Sequence, residues 1–182
     1  MDHTEAIVEL KNVINLDLTK KLISLTDKKA TKKLTIDYDL DNVNVRNVDG
    51  YSLNFNTPTN LFYWNFIKKE IERLYVFYKS KFPGITTRKI NQIDLLKYSE
   101  GGKYETHTDY FQTALRTLSI IINLNNDYEG GDLVFVDQKE KEIKRLKLGE
   151  GSIVFFPSNF LYPHMIEPIK KGKRYSIVAW LQ

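Results

Sequence analysis

Two histidines and an aspartate are the residues here with the types and spacing for metal chemistry. His107 and Asp109 stand two apart in the stretch Tyr98-Ser-Glu-Gly-Gly-Lys-Tyr104-Glu-Thr-His107-Thr-Asp109, and His164 follows 55 residues after Asp109 (164 − 109 = 55). On an extended segment, side chains two apart leave the same face, so an imidazole and a carboxylate can converge on one ion. The intervening chain is long enough to cross a sheet and return on a neighbouring strand with the second imidazole. Two imidazoles and one carboxylate cover one triangular face of an octahedron and leave the opposite face open, the arrangement of non-haem Fe(II) oxygenases. The same donors with a bound water would also serve a zinc hydrolase. Each piece is weak alone: His-x-Asp is usually a polar surface pair, and a histidine beside Pro163 is more often a satisfied, half-buried side chain. Their order and spacing together carry the reading.

Arg174 adds a further function. Its planar fork suits bidentate pairing with a carboxylate. Strand alternation places Arg174, Ser176, Val178 and Trp180 on one face. With that face turned inward, Arg174 and Ser176 would hold the distal carboxylate of a dicarboxylate whose other end chelates the metal, and Trp180 would wall the pocket. Zinc hydrolysis has no need of such an arginine, which separates the two chemistries.

These residues need strands to carry them. After Gly84 the sequence breaks into short apolar runs: 88–98, 115–124, 133–136, 142–146, 153–156, 161–166 and 174–181. Gly101-Gly102, Asn125-Asn126-Asp127, Gly130-Gly131, Gly149-Glu150-Gly151 and Lys171-Gly172 separate them as turns. That spacing predicts a sandwich or barrel, best fitted by a jelly roll with helices packed outside. Upstream, Ile7 to Ile14 reads as a strand and Asp17 as the cap of a helix through Lys29. A strand is expected at Tyr51 to Phe55, and Thr57-Pro58 opens a long helix from Leu61 to Lys81 that Phe82-Pro83-Gly84 ends. The polar segment Tyr38 to Tyr51, together with Tyr110 to Thr113, is the candidate lid over the site.

Composition narrows the setting. The 182 residues are 42% hydrophobic, enough for one core, and argue for a single domain over 1–182 with an N-terminal support (1–84) and a catalytic jelly-roll core (85–182). With no cysteine, neither disulfides nor thiolate metal sites are available, and a metal must be held by nitrogen and oxygen. The N-terminus lacks the pattern of a signal peptide and no run is long enough to span a membrane, so a cytoplasmic protein without a membrane partner is expected. The net charge of +4 is mild. Its clusters at Lys28–Lys33 and Lys139–Lys147 read as solvated surface, the second being interleaved with Glu140 and Glu142, so no strong nucleic-acid signal emerges.

The motifs resemble those of a known family, the prolyl 4-hydroxylase-like Fe(II)- and 2-oxoglutarate-dependent dioxygenases. The resemblance rests on Tyr98-x-x-Gly101-x-x-Tyr104-x-x-His107-x-Asp109, Tyr128-Glu-Gly-Gly-Asp-Leu-Val-Phe135, Gly151-Ser-Ile-Val-Phe-Phe-Pro157 followed by His164, and Gly172-Lys-Arg174-Tyr-Ser176 ending in Trp180. It implies a mostly β (α+β) fold, a double-stranded β-helix of the cupin-like kind with the long helix outside its major sheet. It implies that His107, Asp109 and His164 act in catalysis as the Fe(II) ligands and that Arg174, with Tyr98 and Ser176, binds 2-oxoglutarate. Tyr104, Arg116 and Trp180 then become candidates for the substrate pocket. The implied reaction hydroxylates a C–H bond while 2-oxoglutarate and O2 become succinate and CO2, with L-ascorbate as a reductant. A prolyl or other residue of a peptide or protein is the first substrate; a small molecule or nucleobase, or a jelly roll that binds without catalysis, are the alternatives. Some relatives carry a tyrosine contacting 2-oxoglutarate where this chain has Asn123, and collagen-type members carry lysine where it has Arg174.

Overall fold

In the computed structural model, residues 3–34, 44–87, 89–110 and 115–182 are described. A single 3-10 turn, His3–Ala6, leads into strand β1, Val8–Leu10. The strand is shorter than the expected Ile7 to Ile14 because Asn12 adopts a positive φ of 54° and turns the chain. Asn15, not Asp17, caps helix α1, Leu16–Lys29: its side-chain oxygen accepts from the backbone N–H of Asp17 (2.8 Å) and Leu18 (3.3 Å). Asp17 sits in the first turn, where its charge favours the positive end of the helix.

Helix α2, Pro58–Lys81, starts as its sequence dictates, with Thr57 accepting from the Asn60 N–H at 3.2 Å and Pro58 in the first turn. Its buried side chains Asn60, Trp64, Ile67, Ile71, Leu74 and Tyr78 recur every three or four residues and form one stripe. Tyr75 and Tyr78 reach Phe155 of the sheet, with ring centroids 6.5 and 5.6 Å away. Each such apolar burial contributes about 1.5–3 kcal/mol, and truncating the fully buried Ile71 to alanine would cost about 2–5 kcal/mol. Asn60 also donates to Tyr51 Oη (2.8 Å) and Asn54 Oδ1 (2.7 Å). These bonds turn the chain into the helix, so the strand expected at Tyr51 to Phe55 lies earlier.

The remaining strands are β2 (Lys32–Lys33), β3 (Arg46–Asn47), β4 (Asp49–Ser52), β5 (Ile90–Tyr98), β6 (Lys103–His107), β7 (Leu118–Asn123), β8 (Glu129–Gly130), β9 (Leu133–Val136), β10 (Glu142–Leu146), β11 (Ile153–Pro157), β12 (His164–Ile166), β13 (Ile169–Lys171) and β14 (Arg174–Leu181). A seven-stranded sheet runs β1-β11-β7-β14-β5-β4-β2, a five-stranded one β10-β9-β12-β6-β3, and β13 pairs with β8 at one end. From β5 onward the chain repeatedly changes sheet, so the two sheets form a jelly roll, the double-stranded β-helix that was expected.

Strand alternation divides the core in two. Along β14, Tyr175, Ile177, Ala179 and Leu181 face the helices in one apolar cluster, which also holds Ile120, Ile122, Ile153 and Phe155. The other faces supply Leu96, Tyr98, Ile121, Val154 and Phe156 to a second cluster, which holds Leu133 and Phe135 of the smaller sheet. Part of the expected lid is strand instead: β3 pairs with β6 and β4 with β5, so residues 46–47 and 49–52 have ladder partners. Residues 38–43 and 111–113 of that lid lie outside the described residues. No described helix is long and apolar enough to cross a membrane.

Candidate functional site

His107 ends β6 and His164 begins β12, and the antiparallel register sets them directly opposite each other, with ring centroids 4.3 Å apart. Each Nδ1 lies against a carbonyl two residues earlier in the chain, Glu105 O at 2.8 Å and Tyr162 O at 3.1 Å. A carbonyl only accepts, so Nδ1 carries a proton and Nε2 is the ring nitrogen left to face a metal. Both Nε2 atoms meet Asp109, which follows β6: His107 Nε2 is 3.7 Å from Oδ1 and His164 Nε2 is 3.7 Å from Oδ2. One ligand atom from each of the three residues lies within 4.8 Å of the others.

The surroundings of Asp109 and His107 act on their protonation. Burial alone would raise the Asp109 carboxyl pKa, but the imidazoles of His164 and His107 and a 2.6 Å hydrogen bond from Ser119 Oγ outweigh it, so the group stays ionised. Ser119 in turn lies 2.8 Å from Ser158 Oγ, and both serines are buried. For His107, burial first and then His164 lower the pKa further than Asp109 and the Glu105 carbonyl raise it, leaving a neutral imidazole. Two imidazoles and one carboxylate make a donor set that fits a divalent ion such as Fe(II).

Arg174 begins β14 opposite Tyr98 of β5 and is 1% exposed. Its guanidinium lies 5.4 Å from the centre of the Tyr98 ring and donates through one NH to Ser176 Oγ at 3.2 Å. Its Nε and its other terminal nitrogen are buried with no hydrogen-bond partner among the described residues. A buried cation with two unanswered donors calls for an anionic partner with two oxygens. Arg174, Ser176, Tyr98, Trp180 and the three metal-ligand candidates line one cavity of about 390 Å³, mouth included, so the expected inward face of β14 is the observed one.

The other expected residues divide. Tyr104 lines the cavity and stacks on His107 with centroids 3.5 Å apart. Trp180 forms wall, its indole nitrogen buried. Arg116 does not line the cavity: it stacks on Trp180 at 3.8 Å and donates to Asp109 O and Gln92 Oε1, both at 3.3 Å, bracing both from outside. Asn123 is buried and holds loops together, donating to the carbonyls of Asn125 (2.6 Å) and Leu148 (3.1 Å). In the Lys139–Lys147 cluster two side chains are engaged: Lys144 bonds the Thr4 and Ile7 carbonyls, and Arg145 pairs with Asp132, Glu142 and Glu167.

Two features escaped the sequence reading. Ser119 could have been found, since with Ile121 and Asn123 it alternates against Ile120 and Ile122 and so must face the site. Arg46 carried no signal; it reaches the cavity only because β3 pairs with β6.

Residues 93–182 match the sequence profile of the 2OG-Fe(II) oxygenase superfamily. A PKHD-type hydroxylase of Idiomarina loihiensis is 31% identical over 99 residues, 52% of this chain and 44% of that protein, so the match spans less than half of the relative's length. Two solved structures share the fold over nearly the whole chain. One is a prolyl hydroxylase from Trichoplax adhaerens in complex with a hypoxia inducible factor peptide fragment (TM-score 0.80, 14% identity, covering 98% of this chain and 84% of that one). The other is a Pseudomonas putida prolyl-4-hydroxylase (TM-score 0.75, 15% identity, covering 97% and 92%). Over residues 93–182 the chain belongs by sequence to the 2OG-Fe(II) oxygenase superfamily, and along nearly all its length it shares the fold of these two proteins.

Proposed function

We propose that this protein is an Fe(II)- and 2-oxoglutarate-dependent dioxygenase that hydroxylates a C–H bond of a peptide or protein, a prolyl residue foremost, with ascorbate able to keep the iron ferrous. One observation carries the reading: a two-imidazole, one-carboxylate cluster shares its cavity with a buried arginine that has donors to spare. In this reading residues 1–84 support and residues 85–182 perform the chemistry. A small-molecule substrate would use the same apparatus.

When bound, iron supplies O2 activation and the oxidation of 2-oxoglutarate that drives hydroxylation. The chain's own residues do the rest. His107 and His164 present Nε2 lone pairs because the Glu105 and Tyr162 carbonyls hold the protons on Nδ1. Asp109 presents a carboxylate whose direction is set by Ser119. Arg174 anchors the distal carboxylate of 2-oxoglutarate, Ser176 fixes the guanidinium, and Tyr98 walls the same end. Ile121, Ile166 and Val178 keep the cavity floor apolar, excluding water.

The test is iron-dependent conversion of 2-oxoglutarate to succinate by the purified protein, followed with proline-containing peptides and a +16 Da mass shift. Asp109→Ala should abolish the turnover while preserving the circular dichroism spectrum. Succinate formation that is indifferent to iron or to Asp109→Ala would overturn the proposal.

A further inference from the structure

We infer that Arg46 is the seat of a negatively charged group on the substrate, so that the molecule oxidised at this site carries a carboxylate close to its reacting carbon. The inference rests on the oxygenase reading above.

Arg46 is held in place, and among the described residues its Nε has no acceptor. Its strand partner is Tyr104, its guanidinium lies 4.7 Å from the centre of that ring, and Tyr104 stacks in turn on His107 at 3.5 Å. This column brings a permanent cation to the cavity that holds the metal-ligand candidates. Among the described residues its buried Nε has no hydrogen-bond partner and no carboxylate pairs with the guanidinium. A desolvated N–H without an acceptor is a standing cost, removed when a ligand supplies the acceptor.

Charge balance points the same way. The charges of Asp109, a divalent ion, the two carboxylates of 2-oxoglutarate and Arg174 cancel, which leaves Arg46 uncompensated among the charged lining residues. Arg46 and Arg174 come from different sheets, β3 and β14, so one can hold a substrate anion while the other is engaged with 2-oxoglutarate. The geometry of a guanidinium, two N–H groups in a plane, suits a carboxylate. That carboxylate can belong to an Asp or Glu side chain next to the target residue of a peptide, or to a free small acid.

The experiment compares matched probes on the full chain with Fe(II) and saturating 2-oxoglutarate. One pair is a pool of proline-centred peptides flanked by Asp or Glu and the same pool with Asn or Gln; the other is a set of small carboxylic acids and their amides. Succinate formation above background should favour an acid over its amide by at least tenfold, since hydrogen bonds to charged groups are the strong ones. Whichever pair shows the preference identifies the source of the anion. In Arg46→Gln the preference should fall to near unity, and Arg46→Lys should restore part of it. Binding of the same probes to Mn(II)-loaded protein, measured by calorimetry, gives an answer without turnover: a tenfold acid preference lost in Arg46→Gln supports the inference even if succinate never forms, an outcome that would count against the oxygenase reading alone. Equal response to acids and amides in both measurements, or a preference that survives Arg46→Gln, would overturn it.

Discussion

Arg174→Met should move two quantities in opposite directions. The native guanidinium is 1% exposed and makes one hydrogen bond, to Ser176, while its Nε and second terminal nitrogen make none. Burying a cation without an anionic partner costs several kcal/mol, and replacing buried charge with an apolar side chain of similar volume is commonly neutral or stabilising by about 1–4 kcal/mol. Methionine fills much of the same space and keeps contact with Tyr98, forfeiting the cation–π term of about 1–2 kcal/mol. At the midpoints of those ranges, about 2.5 less about 1.5, a net gain of about 1 kcal/mol remains, which for a chain of this size is a rise of roughly 2–4 °C in Tm without ligand. Under the proposed function the same substitution would remove two charge-assisted hydrogen bonds to 2-oxoglutarate, each worth about 1.5–3 kcal/mol, so affinity should fall roughly 10²-fold or more. Differential scanning fluorimetry with Mn(II), with and without 2-oxoglutarate, reads both. Wild type should gain about 2.7 kcal/mol at a ligand concentration of 100 times its Kd, and the variant about 0.4 kcal/mol or less at that concentration. A variant that melts lower than wild type without ligand yet keeps the full 2-oxoglutarate shift would refute the idea that Arg174 is an unpaired cation awaiting that ligand.

Ser119→Ala leaves Asp109 without its 2.6 Å hydrogen bond, and metal affinity measured by equilibrium dialysis should drop about 10–100-fold with little change in the far-ultraviolet spectrum. Gly131→Ala should destabilise by about 1–3 kcal/mol in urea titration and weaken 2-oxoglutarate binding: Gly131 has φ 69°, and a Cβ there would lie 2.4 Å from Ile169 Cδ1 and 3.2 Å from Arg174 Cδ. Tyr175, raised to about 12 by burial and by its hydrogen bond to Asp27, contributes stability that is complete below pH 10 and is lost as pH rises toward 12. The stability difference between wild type and Tyr175→Phe should therefore shrink across that window; a constant difference would count against the shift.

The parts of this molecule that were legible in its sequence are those fixed by local periodicity. Along β14 the alternation of Arg174, Ser176, Val178 and Trp180 with Tyr175, Ile177, Ala179 and Leu181 can have only two orientations. A long helix with its own apolar stripe requires that the second set face it. That settles which side Arg174 takes before any distance is known. The spacing of His107 and Asp109 was less complete as a guide, because β6 ends at His107 and Asp109 is aimed by Ser119 on the opposite sheet rather than by strand geometry. Asn15 and Asp17 show the same limit at smaller scale: both are cap formers, and a positive φ at Asn12, invisible in residue type, decides between them by ending the strand early. Arg46 marks where local reasoning stops. It stands 58 residues before Tyr104 (104 − 46 = 58) in a polar segment without periodicity, and only the pairing of a two-residue strand brings it to the site. Metal ligands lie on strands whose order the fold constrains. A residue that selects substrate can come from any segment that reaches the cavity mouth, which is why the metal-ligand candidates were readable from motifs and Arg46 was not.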